Sequence, residues 1–201
     1  MKLFIKAGAC SLSPHIVLEE SGLQYETEPV DLATKVTADG RNFLNINPKG
    51  YVPALLLDSG EVLTEGAAIV QYIADLVPEK GLAPINGTIE RYRLQSWLAF
   101  IGAELHKSFS PFFNPSAGDA WKDAARANLN RRFGYTDQQL VGKSYLLGED
   151  FSVADAYLFT ILTWAEFIRL DLSKWPGLVA YRDRIACRPA VRSVLIDEGL
   201  V

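Results

Sequence analysis

Short apolar runs punctuated by Gly, Pro, Asp and Ser occur before residue 65. After the Pro- and Gly-bearing stretch 78–87 the apolar residues recur at helical spacing instead. A chain whose strand signals all precede its helical ones cannot interleave the two throughout. It folds as an α/β part followed by an all-helical part. Residues 2–6 (KLFIK) read as a strand and 14–21 as a helix ended by Gly22. Residues 25–30, 52–57 and 61–63 read as further strands, with Asp58-Ser59-Gly60 as the turn between the last two. A helix follows over 65–77, with Thr64 as its N-cap and Pro78 past its end. The boundary falls in the connector, giving domains over 1–80 and 87–201.

In the second part Leu94, Leu98, Ile101 and Leu105 share one helix face. At about 100° per residue, Ala99, Gly102, Ala103 and His106 lie roughly opposite. That small-residue face either borders a cleft or lets helices approach closely, and periodicity does not choose between the two. Further helices are expected at 120–140, 153–168, 176–186 and 189–197. Ser152-Val153-Ala154-Asp155 is a capping-box variant that anchors the most apolar of them, so Ser152 and Asp155 read as structural. That helix carries Asp155 and Glu166 and is shorter than the roughly 20 apolar residues a membrane span needs.

A formal net charge of -4 without any basic run argues against nucleic acid and anionic membrane as partners. A small ligand fits better. The beginning of the chain has too short an apolar run for a signal peptide, and the two cysteines lie far apart, so a reducing, cytoplasmic setting is expected. No metal-ligand spacing links the cysteines and the two histidines, and no metal is expected. Cys10 is then a free thiol.

Three positions suit a small peptide-like ligand. Cys10 lies at the start of a helix, where unpaired N–H groups favour a thiolate, although a free cysteine is more often a small buried hydrophobe. Pro53 opens a strand; a cis Val52-Pro53 bond would offer the Val52 N–H and C=O to a ligand's backbone, whereas an ordinary trans proline is the commoner case. At Thr64-Glu65-Gly66 the helix-start amides suit a carboxylate and the Glu65 side chain suits an ammonium, but a Glu in a first turn is also favoured by the helix dipole alone.

The segments GACSLSPH, NPKGYVPALLL and LTEGAAIVQYIAD, with Ala103-Glu104-Leu105-His106-Lys107 and the run from Phe151 to Phe159, resemble the glutathione transferases, most closely the bacterial beta class. The resemblance covers nearly the whole chain. It implies a thioredoxin-like N-terminal domain binding glutathione, an all-α C-terminal domain contributing the electrophile site, and a homodimer. Glutathione is implied as co-substrate, lying along the first domain next to the second. By the same resemblance Cys10 sits near the glutathione sulfur, Val52 pairs with its backbone before cis-Pro53, Glu65 and Gly66 hold the γ-glutamyl end, and Lys35 meets the glycyl end. His106 stands for the family's histidine near the thiol, with Glu104 and Lys107 as nearby polar contacts. Position 103 belongs to the same glutathione-binding set.

This chain departs from the family pattern at three places: Ala99 and Ala103 replace a usual Asn and a usual hydroxyl residue, and Gly66 replaces a usual Ser. The expected reaction is attack of the glutathione thiolate on a hydrophobic electrophile, detoxifying it, with Cys10 and His106 as catalytic candidates and the electrophile near Phe109, Phe112, Phe113 and Trp164. A thiol-disulfide reductase using Cys10, which has Ser rather than Cys at i+3, and a non-catalytic binding protein are the alternatives.

Overall fold

The computed structural model describes residues 1–201. Contacts divide it into two compact units, residues 1–83 with 187–201, and residues 84–186. In the first, β1 (Lys2–Ile5) leads through α1 (Leu12–Ser21) to β2 (Glu26–Asp31), which lies parallel to it. The short β3 (Val36–Thr37), then β4 (Ala54–Leu56) and β5 (Val62–Thr64), add antiparallel, giving a five-stranded sheet ordered β3-β2-β1-β4-β5. Leu3 and Phe4 are adjacent and both fully buried, so β1 is covered on both faces. On one face Phe4 packs with Val30, Phe43, Val52 and Ala54. α2 (Gly66–Leu76) packs against α1, β4 and β5.

Three details differ from the sequence expectation. α1 begins at Leu12 rather than at Pro14, with Ser11 as its N-cap residue. The two-residue β3 carries no alternation to read. Thr64 belongs to β5, and the N-cap of α2 is Glu65, at φ 71 and ψ 112.

The second unit opens with α3 (Ile89–Phe100), capped by Thr88, whose Oγ1 accepts from Arg91 N at 3.3 Å. Leu94, Leu98, Ile101 and Leu105 are all buried, as their spacing requires. The helix is not uniform, however. A π-helical turn over Ile101–Leu105 passes into a 3-10 turn over His106–Phe109 and then α4 (Ser110–Phe113). A constant 100° per residue therefore fails across 99–106. α5 (Asp119–Gln139), α6 (Val153–Phe167) and α7 (Pro176–Ala186) complete the unit. No helix is long and apolar enough to cross a membrane.

Ser152 and Asp155 close the capping box at the start of α6. The Asp155 carboxylate accepts from Ser152 N and Ser152 Oγ on one oxygen, and from Leu146 N and the Tyr181 hydroxyl on the other, at 2.7–2.8 Å. One side chain thus joins the loop before α6, α6 itself and α7. Burial pushes its pKa up, opposed by these four bonds to the charged form.

α8 (Pro189–Asp197), expected within the helical domain over 87–201, packs along α1 and groups with the first unit. The Arg188 guanidinium grips both oxygens of Glu20 on α1 at 2.6 and 3.0 Å.

Candidate functional site

The first unit gathers Cys10, Lys35, Val52, Pro53, Glu65 and Gly66 from the loops after β1 and β2, the turn before β4 and the start of α2. Cys10 precedes the N-cap residue of α1. The Ser11 hydroxyl does not cap that helix; it accepts from Lys6 N and donates to Lys6 O, fixing the turn that carries Cys10. The half-buried Cys10 thiol donates to Val52 O at 3.1 Å. Val52-Pro53 is cis. The Val52 carbonyl has two lone pairs and can accept from a strand-like ligand beside the Cys10 thiol, which brings the thiol and the middle of such a ligand to one place.

Glu65 and Lys35 are two of three non-glycine residues with positive φ, at 71° and 60°. Such backbone costs about 1–3 kcal/mol and persists where its surroundings over-determine it. Glu65 is held by its side chain: Oε1 accepts from Lys49 Nζ at 2.6 Å and from the Tyr51 hydroxyl at 2.7 Å. That shared carboxylate raises the pKa of both donors. Behind Glu65, no side chain caps α2, whose first amides have no partner within the helix. A carboxylate group of a ligand can dock on them, beside a fixed negative charge that suits an ammonium. Lys35 Nζ donates to Gly50 O at 2.7 Å.

Lys49, Tyr51 and Asn47 were not singled out by sequence reasoning. Buried Asn47 donates to Tyr51 O at 2.7 Å and accepts from Lys49 N at 3.2 Å, so it shapes the turn that presents both donors. Their only signal was membership of the NPKGYVP segment, because the β4–β5 hairpin, not local spacing, brings them to Glu65.

In the second unit His106 follows the π-helical turn, and its Nδ1 lies 2.7 Å from the Tyr157 hydroxyl. Trp164 meets its ring edge-on at 4.9 Å between centroids. Glu104 is paired by Arg132 from α5 at 2.7 and 2.8 Å. Lys107, Ala99 and Ala103 are exposed. Of the aromatic residues expected to meet an electrophile, Phe113 and Trp164 stand 5.3 Å apart, edge to face. Phe109 is fully buried, 5.5 Å from Trp164, which is itself only 7% exposed, so the accessible aromatic surface comes from Phe113 and from Phe167, 70% exposed and 5.3 Å from Phe113. No group of three or more His, Cys, Asp or Glu is arranged to hold a metal ion.

This succession of a thioredoxin-like unit and a helical one agrees with the family models. The model for the glutathione S-transferase N-terminal domain matches residues 7–76, and that for the C-terminal domain matches 100–189. The chain belongs to the glutathione S-transferase family. It is 46% identical over its whole length to the whole of glutathione S-transferase GstA from Escherichia coli O157:H7. Among solved structures, a bacterial beta class glutathione S-transferase from Sphingomonas chungbukensis superposes with a TM-score of 0.97 at 51% identity, covering 100% of both chains. A sphingomonad glutathione S-transferase complexed with glutathione gives 0.96 at 49% identity, also over 100% of both.

Proposed function

We propose that this chain is a glutathione transferase that binds glutathione on its first unit and adds the glutathione thiolate to hydrophobic electrophiles. The observation that carries the reading is Glu65, a strained residue whose carboxylate is fixed by Lys49 and Tyr51 at the uncapped start of α2. In this reading Glu65 takes the γ-glutamyl ammonium, the Gly66 amide takes the neighbouring carboxylate, Val52 pairs with the cysteinyl backbone, and Lys35 meets the glycyl carboxylate. Cys10 stands beside the glutathione sulfur. The similar sphingomonad enzyme complexed with glutathione supports the ligand.

The thiol loses its proton on binding and the thiolate attacks an electrophilic carbon, forming a thioether and expelling a leaving group or opening an epoxide ring. Stabilisation of that thiolate is assigned to Cys10 and His106, with Glu104, Lys107 and position 103 as further glutathione contacts. The electrophile is assigned to the aromatic group of Phe112, Phe113 and Trp164. Detoxification, a homodimer and a cytoplasmic setting complete the reading. Calorimetry with glutathione, followed by assay of thioether formation from aryl halides and epoxides, tests it. Binding without thioether from any of them sinks the transferase activity, and no binding at millimolar glutathione sinks the site.

A second reading is favoured by the half-buried thiol at the start of α1 and by Ser13 at i+3. There the Cys10 thiolate attacks the glutathione sulfur of a mixed disulfide between glutathione and another thiol, forming a Cys10–glutathione disulfide and releasing that other thiol as its thiolate; a glutathione thiolate then attacks the bound glutathione sulfur, restoring the Cys10 thiolate and leaving as oxidised glutathione. In this second reading Cys10 is the exchange thiol and His106 alone stabilises the conjugating thiolate, so Cys10→Ala should abolish disulfide exchange and spare conjugation.

A further inference from the structure

The turn over residues 6–10 is secured from its own side by Ser11, and from the far end of the sequence by a buried carboxylate. The Gly8 N–H donates to Glu198 Oε2 at 2.8 Å, across 190 residues. The other oxygen, Oε1, lies 2.8 Å from His15 Nδ1 on α1. Both side chains are buried, His15 to 2% exposure and Glu198 to 0%.

Burying a carboxylate completely is costly unless each oxygen finds a donor, and apolar residues of the same volume are often as stable. Stability alone therefore gives a weak reason for this pair. What the carboxylate does achieve is geometric. Gly8 is at φ +69, a conformation that L side chains rarely adopt, and a Cβ there would stand 3.4 Å from Leu200 Cδ2. Ala9 N closes the turn on Lys6 O at 2.9 Å, and Leu12 N bonds Ala9 O at 3.0 Å. A shift of the Gly8 amide therefore passes along two short turns to Cys10. His15 is anchored by α1 and meets Tyr25 edge-on at 5.6 Å, so the carboxylate is oriented as well as paired.

We infer that Glu198 is a positioning residue for the thiol site, setting the Cys10 backbone through the Gly8 amide while His15 fixes the carboxylate. The inference rests on Cys10 standing at the glutathione sulfur. Its action is on geometry rather than charge. A glutamine can meet both partners by turning its amide oxygen to Gly8 N–H and its NH2 to an unprotonated Nδ1 of His15. An alanine meets neither.

The test compares Glu198→Gln, Glu198→Ala and Glu198→Asp in the full chain. It reads the iodoacetamide alkylation rate of Cys10 without glutathione, with exposed Cys187 as internal reference, and then KM for glutathione and kcat separately. Glu198→Gln should keep the Cys10 rate and KM within about threefold of the parent. Glu198→Ala should change the Cys10 rate and raise KM by about tenfold, the effect of roughly one good hydrogen bond, while the Cys187 rate stays put. If Glu198→Ala does not fold, Glu198→Asp, which keeps the charge but draws it back by one methylene, decides by the same readings. A folded alanine or aspartate variant with unchanged Cys10 alkylation and unchanged KM overturns the inference. The alkylation step needs no glutathione, so a parent that fails to bind glutathione counts against the proposed function and leaves this reading to be decided by Cys10 alone.

Discussion

The helices α2 and α6 each begin beside a carboxylate, and they begin in opposite ways. At α6 the protein seals its own helix start: Ser152 is extended, and Asp155 takes four hydrogen bonds in a fully buried setting. At α2 the N-cap residue Glu65 has positive φ and its side chain turns away to exposed Lys49 and Tyr51. The first arrangement spends its polar groups on the fold, and the second leaves its helix start without a side-chain cap. A carboxylate near a helix start is therefore not one signal. Whether it reaches back to the amides or is pulled away from them separates an anchor from a site.

Breaking the sealed start should give the largest effect. Asp155→Ala leaves Leu146 N, Ser152 N and the Tyr181 hydroxyl buried without their acceptor, and guanidinium unfolding should show a loss of about 3–5 kcal/mol. The pH dependence sharpens this. Burial holds the folded pKa of Asp155 above the ordinary 3.8, so the stability linked to its protonation is complete below pH 3.8 and is lost as pH rises through the folded value. Subtracting the profile of Asp155→Asn from that of the parent should expose this decline; parallel profiles contradict it.

Breaking the open start should spare the fold and damage binding. Glu65→Gln removes a charge-assisted bond of about 1.5–3 kcal/mol, so calorimetry should find glutathione bound roughly ten- to a hundredfold more weakly, with the unfolding midpoint nearly unchanged. A large drop in midpoint with intact affinity would make Glu65 another anchor. Gly66→Ser should act in the opposite direction by a smaller amount. A Cβ at 66 meets only Pro53 Cγ, at an ordinary 3.7 Å, so a hydroxyl can be added without displacing anything and should tighten glutathione binding by about two- to tenfold. Lys49→Met should have the least effect, a weakening of about two- to fivefold that disappears at high salt, because the pair it breaks is exposed.

Sequence legibility followed the same division. The sealed start was readable because a capping box lies within four consecutive residues, and the buried stripe of α3 was readable because helix spacing is local. The open start was half readable. Glu65-Gly66 could be picked out, but Thr64 looked like the cap, since nothing in residue type announces that the next residue will adopt positive φ. Lys49 and Tyr51 reach Glu65 across a hairpin, and Glu198 reaches Gly8 from the far end of the sequence, so neither contact leaves a spacing to find. The π-helical turn before His106 was equally silent, because a one-residue widening keeps Ile101 and Leu105 on the buried side.

The bond between Gly8 and Glu198 also orders events in time. Residues 84–186, a whole compact unit, are synthesised between the two partners. At a ribosomal pace of about 5–20 residues per second, the Cys10 turn waits about 10–40 seconds for the carboxylate that completes it, long after the strands beside it have emerged. The thiol site thus matures only after the helical unit has been made, rather than with the sheet that carries it.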